Sequence, residues 1–573
     1  MYTFSELKKK LKKEYTGLTT IRVALLGDTA TPFLVQAIRA SGFDAGFDLQ
    51  IQESDFNQIE RQVFDAGSEL YSFDPQVIIL FHSSHKLLLQ YNKLDPTDHT
   101  RLAEDRLNLI DSLRTAISSR LTARIIYYNY PEIDDAVFGQ FANKTASSFL
   151  FQLRKLNFLL MEYAATRPDL HIADLSSIQN LLGKPQVFSP ALYVNTDMVL
   201  SLDALPVIAA GTVALIGALF GRIKKCLILD LDNTLWGGVI GDDGMENLLL
   251  GYLGIGKAFT ELQYWIKKLK DRGIILAVCS KNTEAVVMPA FEDHPDMVLS
   301  KEDIAVFRIN WENKVENIRQ IQAILNIGFD SMVFLDDNPF ERNMVREGIP
   351  TITVPELPED PAVYLEYLYT LDLFETTSLS AEDRERTKLY QIEARREAEM
   401  KAYDNEEAFL ESLNMLSVVE NFNKFNTPRV SQLTQRSNQF NLRTVRYTEA
   451  DILQLGGDPD TFTFSFGLKD KYADNGIICV VVLKKESEAV LFIDTWLMSC
   501  RVLKRGMENF TLNTLADFAR RHGFRYLKGE YLPTAKNEMV REHYANLGFK
   551  QKDAHWFLDM QAFENKKTYI NLK

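Results

Sequence analysis

The sequence predicts a multidomain α/β protein: two units built on parallel sheets, then an α+β unit with a mainly antiparallel sheet. Three observations predict it. The chain has 573 residues, whereas a single apolar core stops growing at about 250–300 residues. Apolar runs alternate with amphipathic helical stretches through the first two thirds of the chain, the pattern of parallel strands joined by crossover helices. After a charged stretch at residues 380–411 the order changes to strand, strand, helix, strand.

Taken in order, the runs 21–28 (IRVALLGD), 75–82 (PQVIILFH) and 123–131 (ARIIYYNYP) read as buried parallel strands, with helical patterns at 31–41 and 98–120 between them. Residues 204–221 (ALPVIAAGTVALIGALFG) are uncharged and long enough to be weighed as a membrane span. They are rich in Ala and Gly, contain Pro206 and run into a basic stretch, so the expectation is a buried helix against a sheet. A second α/β unit begins at Lys224, with strands in 224–234 (KKCLILDLDNT), 273–280 (GIILAVCS) and 331–338 (SMVFLDDN). The stretch 380–411 reads as a solvated connector helix. Strands ICVVVLKK and AVLFIDTWL, a helix at 506–522 and the strand FRYLKGEYL follow. Boundaries near 221 and 376 divide the chain into residues 1–220, 221–375 and 376–573.

Lys and Arg number 64 and Asp and Glu 78, a net charge of −14, with a pI near 5.3. Nucleic-acid and anionic-membrane binding need a positive field, so neither is expected as the main task. The cysteines Cys226, Cys279, Cys479 and Cys500 form no CxxC pair, and the N-terminus lacks the apolar stretch of a signal peptide. Both features suit a reducing, cytoplasmic setting.

The sharpest chemical signal is Asp230-Leu231-Asp232-Asn233-Thr234 at the end of an apolar strand. Residues i and i+2 of a strand share a face, and ligands of open α/β sheets bind at strand carboxyl ends. Two later strands end in Ser280 and in Asp336-Asp337, and Lys314 opens a helical pattern between them. A lone DxDxT motif also describes helix caps and turns; four elements in order on matching strand ends do not fit that bland reading. This order resembles the haloacid dehalogenase (HAD) superfamily of phosphoryl-transfer enzymes. The resemblance implies Asp230 as nucleophile and Asp232 as general acid and base. It implies Mg²⁺ held by Asp230, the Asp232 main-chain carbonyl and one of Asp336 or Asp337. Phosphoryl oxygens would be held by Thr234, Ser280, Lys281 and Lys314.

LILDLDNTLWGGVIGDDG, CSKN at 279–282, WENKVENI at 311–318 and FLDDNPFER at 334–342 resemble FkbH-type proteins of HAD subfamily IIIC. SNQFNLRTVRY at 437–447 and WLMSCRVLKRGME at 496–508 extend the likeness. It implies an enzyme that takes glyceryl from 1,3-bisphosphoglycerate, releases its acyl phosphate and loads the acyl group on an acyl carrier protein thiol. No long insertion follows the first motif, so only a minimal cap around residues 237–244 is expected, open to a macromolecular partner. An acidic carrier would need a local basic patch on this acidic chain, for which Lys504, Arg505, Arg520, Arg521 and Arg525 are candidates.

The C-terminal pattern, ending NEMVREHYANLGFK, resembles the GNAT acyltransferase fold. Its pyrophosphate loop corresponds to Arg501, Lys504, Arg505 and Gly506, with Lys504 where that fold has glycine. This puts acetyl-CoA in doubt and leaves the phosphate of a phosphopantetheine arm as the ligand. Cys500, beside these cations, is a candidate acyl acceptor; a buried strand cysteine is the alternative. Asn438, Gln439, Asn441 and Arg443 are candidates to line the same pocket. In the N-terminal unit, Leu25–Thr29 (LLGDT) resembles the opening block of SGNH hydrolases. Thr29 replaces the nucleophilic serine, the third strand ends in FHSSH, and no Asp-x-x-His lies near Asp174, so this unit is expected to be degenerate. His82 and His85 could in principle substitute as a base, although histidines in loops at strand ends are usually solvated or capping. The leading function is thus glyceryl transfer to a carrier, with a phosphatase bearing a substrate-binding GNAT-like domain, or a non-catalytic scaffold, as alternatives.

Overall fold

The computed structural model describes residues 2–379, 383, 386–400, 403, 405–499, 502–503, 505–534 and 536–573, with backbone only at 393–395, 397, 398, 400 and 406. Two compact units form, Met1–Ala218 and Leu219–Lys573.

The first unit is a five-stranded sheet of β1 (Thr19–Gly27), β2 (Phe47–Glu53), β3 (Val77–Phe81), β4 (Arg124–Tyr128) and β5 (Leu170–Ala173). The order is β2-β1-β3-β4-β5, all parallel. β3 and β4 are buried along their whole length, as continuous apolar runs covered on both faces require. The apolar segment near 204–221 forms the helix Leu205–Leu219, and its Thr212 hydroxyl meets the buried Tyr128 hydroxyl at 2.7 Å. Among the described residues no helix is long and apolar enough to cross a membrane.

The sheet order reverses between β1 and β3, and Asp28 sits there, 8% exposed. Both its carboxylate oxygens accept the Ser83 N–H, at 2.9 and 3.0 Å. Burial pushes the Asp28 carboxyl up to about 7 against those hydrogen bonds. A carboxyl raised in the folded state loses stability as pH climbs from its unfolded value, near 4, through 7, by up to about 4 kcal/mol. The Asp28→Asn chain is therefore expected to melt higher than the natural chain at pH 8.5, with a gain that shrinks toward pH 5. An equal gain at both pH values in thermal melts would refute this. The Thr29 hydroxyl beside it is buried without a hydrogen-bond partner among the described residues. His82 Nδ1 lies 3.0 Å from the Tyr127 hydroxyl, and His85 packs on Phe188 and Tyr193.

The second unit holds two sheets. The first has β6 (Cys226–Leu229), β7 (Ile275–Ser280), β8 (Ile304–Ile309) and β9 (Met332–Leu335), in the order β8-β7-β6-β9 and all parallel. Side-chain alternation divides its core in two. Leu227, Leu229, Val333 and Leu335 face one side, toward Phe259 and Ile266 of the helix Gly256–Asp271. Cys226, Ile228, Met332 and Phe334 face the other, toward Ile318 and Ile321 of the helix Lys314–Leu325.

The second sheet comprises β10 (Met415–Glu420), β11 (Thr461–Lys469), β12 (Asp474–Ser487), β13 (Val490–Met498), β14 (Tyr526–Glu530), β15 (Lys550–Lys552), β16 (His555–Asp559) and β17 (Ile570–Leu572). Its order is β15-β16-β14-β13-β12-β11-β10-β17. Most pairs are antiparallel, but β13 and β14 run parallel and pair only through Val490–Phe492. Beyond that point they diverge, and residues 440–442 fill the fork. Met498 N–H donates to the Phe440 carbonyl at 3.0 Å, Leu442 N–H to Trp496 at 3.2 Å, and Leu532 N–H to Leu442 at 2.9 Å.

The charged stretch after 380 corrects an expectation. Its helix Arg386–Met400 is not a solvated connector. Tyr390 enters the core beneath β6 and β9, Gln391 Nε2 donates to the Ile304 carbonyl at 3.0 Å, and Arg396 is buried on Asp470 at 2.7 Å. The reason is pairing: a buried guanidinium is tolerated beside a carboxylate, and the partner here lies 74 residues away. The expected boundary near 376 falls inside this second unit.

Candidate active site

Alternation along the first sheet of the second unit builds the site. Cys226 and Ile228 face the helix Lys314–Leu325, and continuing the period puts Asp230 on the same side. Met332 and Phe334 do likewise for Asp336. The two aspartates thus converge on the first residue of that helix. Lys314 Nζ lies 3.0 Å from Asp230 Oδ1 and 2.6 Å from Asp336 Oδ2, and all three side chains are buried.

Burial pushes the Asp230 carboxyl up to about 6, with Lys314 acting against it. Burial also raises Asp336 and Asp337. For Lys314 burial alone would lower the ammonium, but Asp230 and Asp336 hold it above its usual range. Carboxylate oxygens of Asp230, Asp336 and Asp337 lie within 4.8 Å of one another. Three acids cluster around a site with one buried ammonium, which pairs with two of them, an imbalance that a hard divalent cation with oxygen ligands fits.

Asp232 is held differently. Asn233 takes a left-handed conformation (φ 55°), which turns the chain sharply after the strand. The Asp232 carboxylate then accepts Trp236 Nε1 at 2.9 Å, Ile240 N–H at 3.1 Å and Asn282 Nδ2 at 2.9 Å. Asn282 also reaches Ser280 Oγ, at 3.3 Å, so the serine stands on the Asp232 side of the site. The Thr234 hydroxyl accepts the Asp337 N–H at 3.0 Å and reaches Asp337 Oδ1 at 3.3 Å. Lys281 pairs with Glu341 at 2.6 Å.

One group that sequence reasoning missed is Arg342. Its Nη1 donates to the main-chain carbonyls of Asp336 and Asp337, at 2.8 and 2.6 Å, which fixes the loop carrying both acids. FLDDNPFER contains it, but a helical arginine six residues past Asp336 reads as a solvated residue. The cap is small, as expected: Gly237 pairs with Leu249 and a short helix, Ile240–Asp243, follows. Around the strand ends Val239, Trp311 and Phe340 are exposed, the last two by 73% and 70%.

The candidate residues of the C-terminal part scatter. Cys500, Arg501 and Lys504 lie outside the described residues. Arg505 is buried against Asp470 at 3.0 Å, sharing it with Arg396. Gly506, at φ 73°, precedes the helix Met507–Arg521. Arg520 and Arg525 pair with Asp517 and Asp559, and Arg521 Nε donates to the Asp517 carbonyl. Asn438 and Gln439 line a cavity. Asn441 is buried in the fork, and Arg443 pairs with Asp494 and Glu530.

A parallel sheet with an aspartate just past the end of its central strand β6, a buried lysine shared by two acids and a minimal cap define a phosphatase domain of the HAD type. Comparison with known proteins agrees. Residues 22–217 match the family described as the FkbH N-terminal domain. The chain is similar to the N-terminal part of protein BF1531 from Bacteroides fragilis, a crystal structure containing a phosphatase domain complexed with Mg. Identity is 54%, the TM-score is 0.64, and the likeness covers 66% of this chain and 100% of that one. Ard1 from Thermoplasma volcanium matches at 17% identity and a TM-score of 0.19, over 25% of this chain and 94% of its own. The ribosomal-protein-S18-alanine N-acetyltransferase from Escherichia coli matches at 15% identity and a TM-score of 0.20, over 26% and 99%. No curated protein matches the chain. The chain belongs to the FkbH-like family, and it is an enzyme of the phosphatase type.

Proposed function

We propose that the Asp230 site is a Mg²⁺-dependent phosphatase acting on 1,3-bisphosphoglycerate, and that the chain passes the glyceryl group to the thiol of an acyl carrier protein. The observation that supports the first half is the Asp230–Lys314–Asp336 cluster with Asp337 beside it. Asp230, Asp336 and Asp337 are the residues that would hold Mg²⁺. The ion would supply charge stabilisation at the phosphoryl oxygens.

An Asp230 oxygen attacks phosphorus, and the bond from phosphorus to the leaving oxygen breaks. Asp232, oriented by Trp236, Ile240 and Asn282, delivers a proton to that oxygen. It then takes one from the water that hydrolyses the aspartyl-phosphate. Lys314 and Ser280 face the phosphoryl group, and Lys314 offsets charge as it develops.

Chemistry decides which phosphate this site takes. Attack at phosphorus of the acyl phosphate would leave a free carboxylate and destroy the activation needed for a thioester. The Asp230 site therefore removes the ester phosphate, while a thiolate displaces the acyl phosphate by attack at carbon. Cys500, outside the described residues, is the proposed first acceptor. The exposed Val239, Trp311 and Phe340 around an open site support a macromolecular partner.

The test is to incubate the chain with 1,3-bisphosphoglycerate, Mg²⁺ and holo carrier protein, then measure phosphate and the intact mass of the carrier. A glyceryl adduct on the carrier is the expected result. Phosphate without an adduct would reduce the function to a phosphatase, and neither product would leave a scaffold. A Cys500→Ala chain that still loads the carrier at the natural rate would remove Cys500 from the route.

A further inference from the structure

The loop between β9 and the helix Pro339–Gly348 carries Asp336 and Asp337, and each carboxylate has its own support. Asp336 Oδ1 accepts the Asn338 N–H at 2.9 Å, while its Oδ2 meets Lys314. The Thr234 hydroxyl accepts the Asp337 N–H and reaches Asp337 Oδ1. The main chain of the loop depends on one side chain. Arg342 Nη1 bridges the carbonyls of Asp336 and Asp337, and among the described residues neither carbonyl has another donor.

That guanidinium is itself clamped from behind. Glu356 Oε2 accepts Arg342 Nε at 3.1 Å and lies 2.9 Å from Nη2. Glu356 also pairs with Arg346, one helical turn after Arg342. Three residues before Glu356, Thr353 is fastened to β9: its N–H donates to the Met332 carbonyl, and its carbonyl accepts the Phe334 N–H. A continuous brace thus runs from β9 through Glu356 and Arg342 to the two acids. The Arg342 side chain is 5% exposed, against 59% for Glu356. A guanidinium buried on one half-exposed carboxylate is a poor source of stability. What it adds is geometry, because its planar fork holds two peptide units and a carboxylate at fixed angles.

Such geometry matters to a metal. Mg²⁺ tolerates little departure from an octahedron of oxygens, and the partners behind metal ligands orient them and tune affinity. The sign of the effect separates geometry from charge. Arg342 puts a positive charge behind the acids, so by charge alone its removal would tighten cation binding. Loss of the brace would loosen it.

We infer that Arg342, locked by Glu356, is a positioning residue that sets the affinity of this centre for Mg²⁺ by holding the loop of Asp336 and Asp337. The inference rests on Asp230, Asp336 and Asp337 as the residues that would hold the metal, and it involves no acyl transfer.

The experiment titrates Mg²⁺ calorimetrically into the full natural chain and into Arg342→Met, Arg342→Lys and Glu356→Gln chains, with no phosphate compound present. Arg342→Met is expected to weaken Mg²⁺ binding about 10–100-fold. Arg342→Lys should recover part of that loss, since an ammonium can still donate to both carbonyls. Glu356→Gln, at a half-exposed position that leaves folding secure, should weaken binding by a smaller factor in the same direction. The Mg²⁺ concentration for half-maximal hydrolysis of p-nitrophenyl phosphate should rise in step with each loss of affinity. Tighter or unchanged Mg²⁺ binding in Arg342→Met overturns the inference, even if its melting temperature falls, because that pattern marks a purely structural arginine. Where Arg342→Met does not fold, unchanged affinity in Glu356→Gln overturns it. Failure of the natural chain to bind Mg²⁺ is a distinct result: it removes the metal reading of the three acids, and the inference falls with it.

Discussion

Asp230→Asn is expected to lower steady-state phosphate release on the order of 10⁴-fold while leaving the fold intact. Asparagine has the shape of aspartate but no anionic oxygen to attack phosphorus, so the covalent route closes. The fold survives because the change removes a charge that burial already disfavours, since the carboxyl is pushed up to about 6. Lys314 keeps Asp336 as a partner at 2.6 Å. Rapid-quench measurement should show no phosphorylated chain in the variant, alongside a melting temperature that is not lowered. Turnover within tenfold of the natural enzyme would mean that another group is the nucleophile.

Lys314→Met is expected to cost about 3–5 kcal/mol of stability, the penalty for leaving buried carboxylates without their cation. Methionine retains the length of the stem, so packing against Phe334 is largely kept and the loss is electrostatic. Its sign with pH follows from the site. Without the ammonium, Asp230 and Asp336 hold protons to a higher pH than they do in the natural chain. A carboxyl raised in the folded state contributes fully below its unfolded value and loses stability as pH rises through its folded value. Urea midpoints should therefore show a larger loss at pH 8 than at pH 5, and Mg²⁺ should stabilise the variant more than the natural chain. A loss independent of pH, or below about 1 kcal/mol, would contradict the shared-cation account.

Much of this centre is legible in the sequence because it obeys a strand's period of two. Positions 226, 228 and 230, and 332, 334 and 336, announce two carboxylates on one face, and Lys314 heads the helix that covers it. What the period does not carry is the turn. The left-handed Asn233 redirects the chain so that Trp236, Ile240 and Asn282 all reach Asp232, and no spacing rule links those three positions. Arg342 is hidden for a related reason: its partners are main-chain carbonyls, which leave no mark in the amino-acid code. The same holds for the second sheet. Residues 440–442 enter a fork between strands that follow some 50 and 85 residues later, and β17 pairs beside β10 across most of the domain. Such non-local pairing depends on the whole topology rather than on local propensity. The charged helix after 380 misleads in the opposite way, because composition shows charge but not the distant acid that neutralises it.

The helix Arg386–Met400 touches both sheets of the second unit: Tyr390 enters the core of the first, and Arg396 pairs with Asp470, which directly follows β11 of the second. Loss of either sheet strips a buried partner from this helix, so the two sheets are expected to lose structure in one cooperative step.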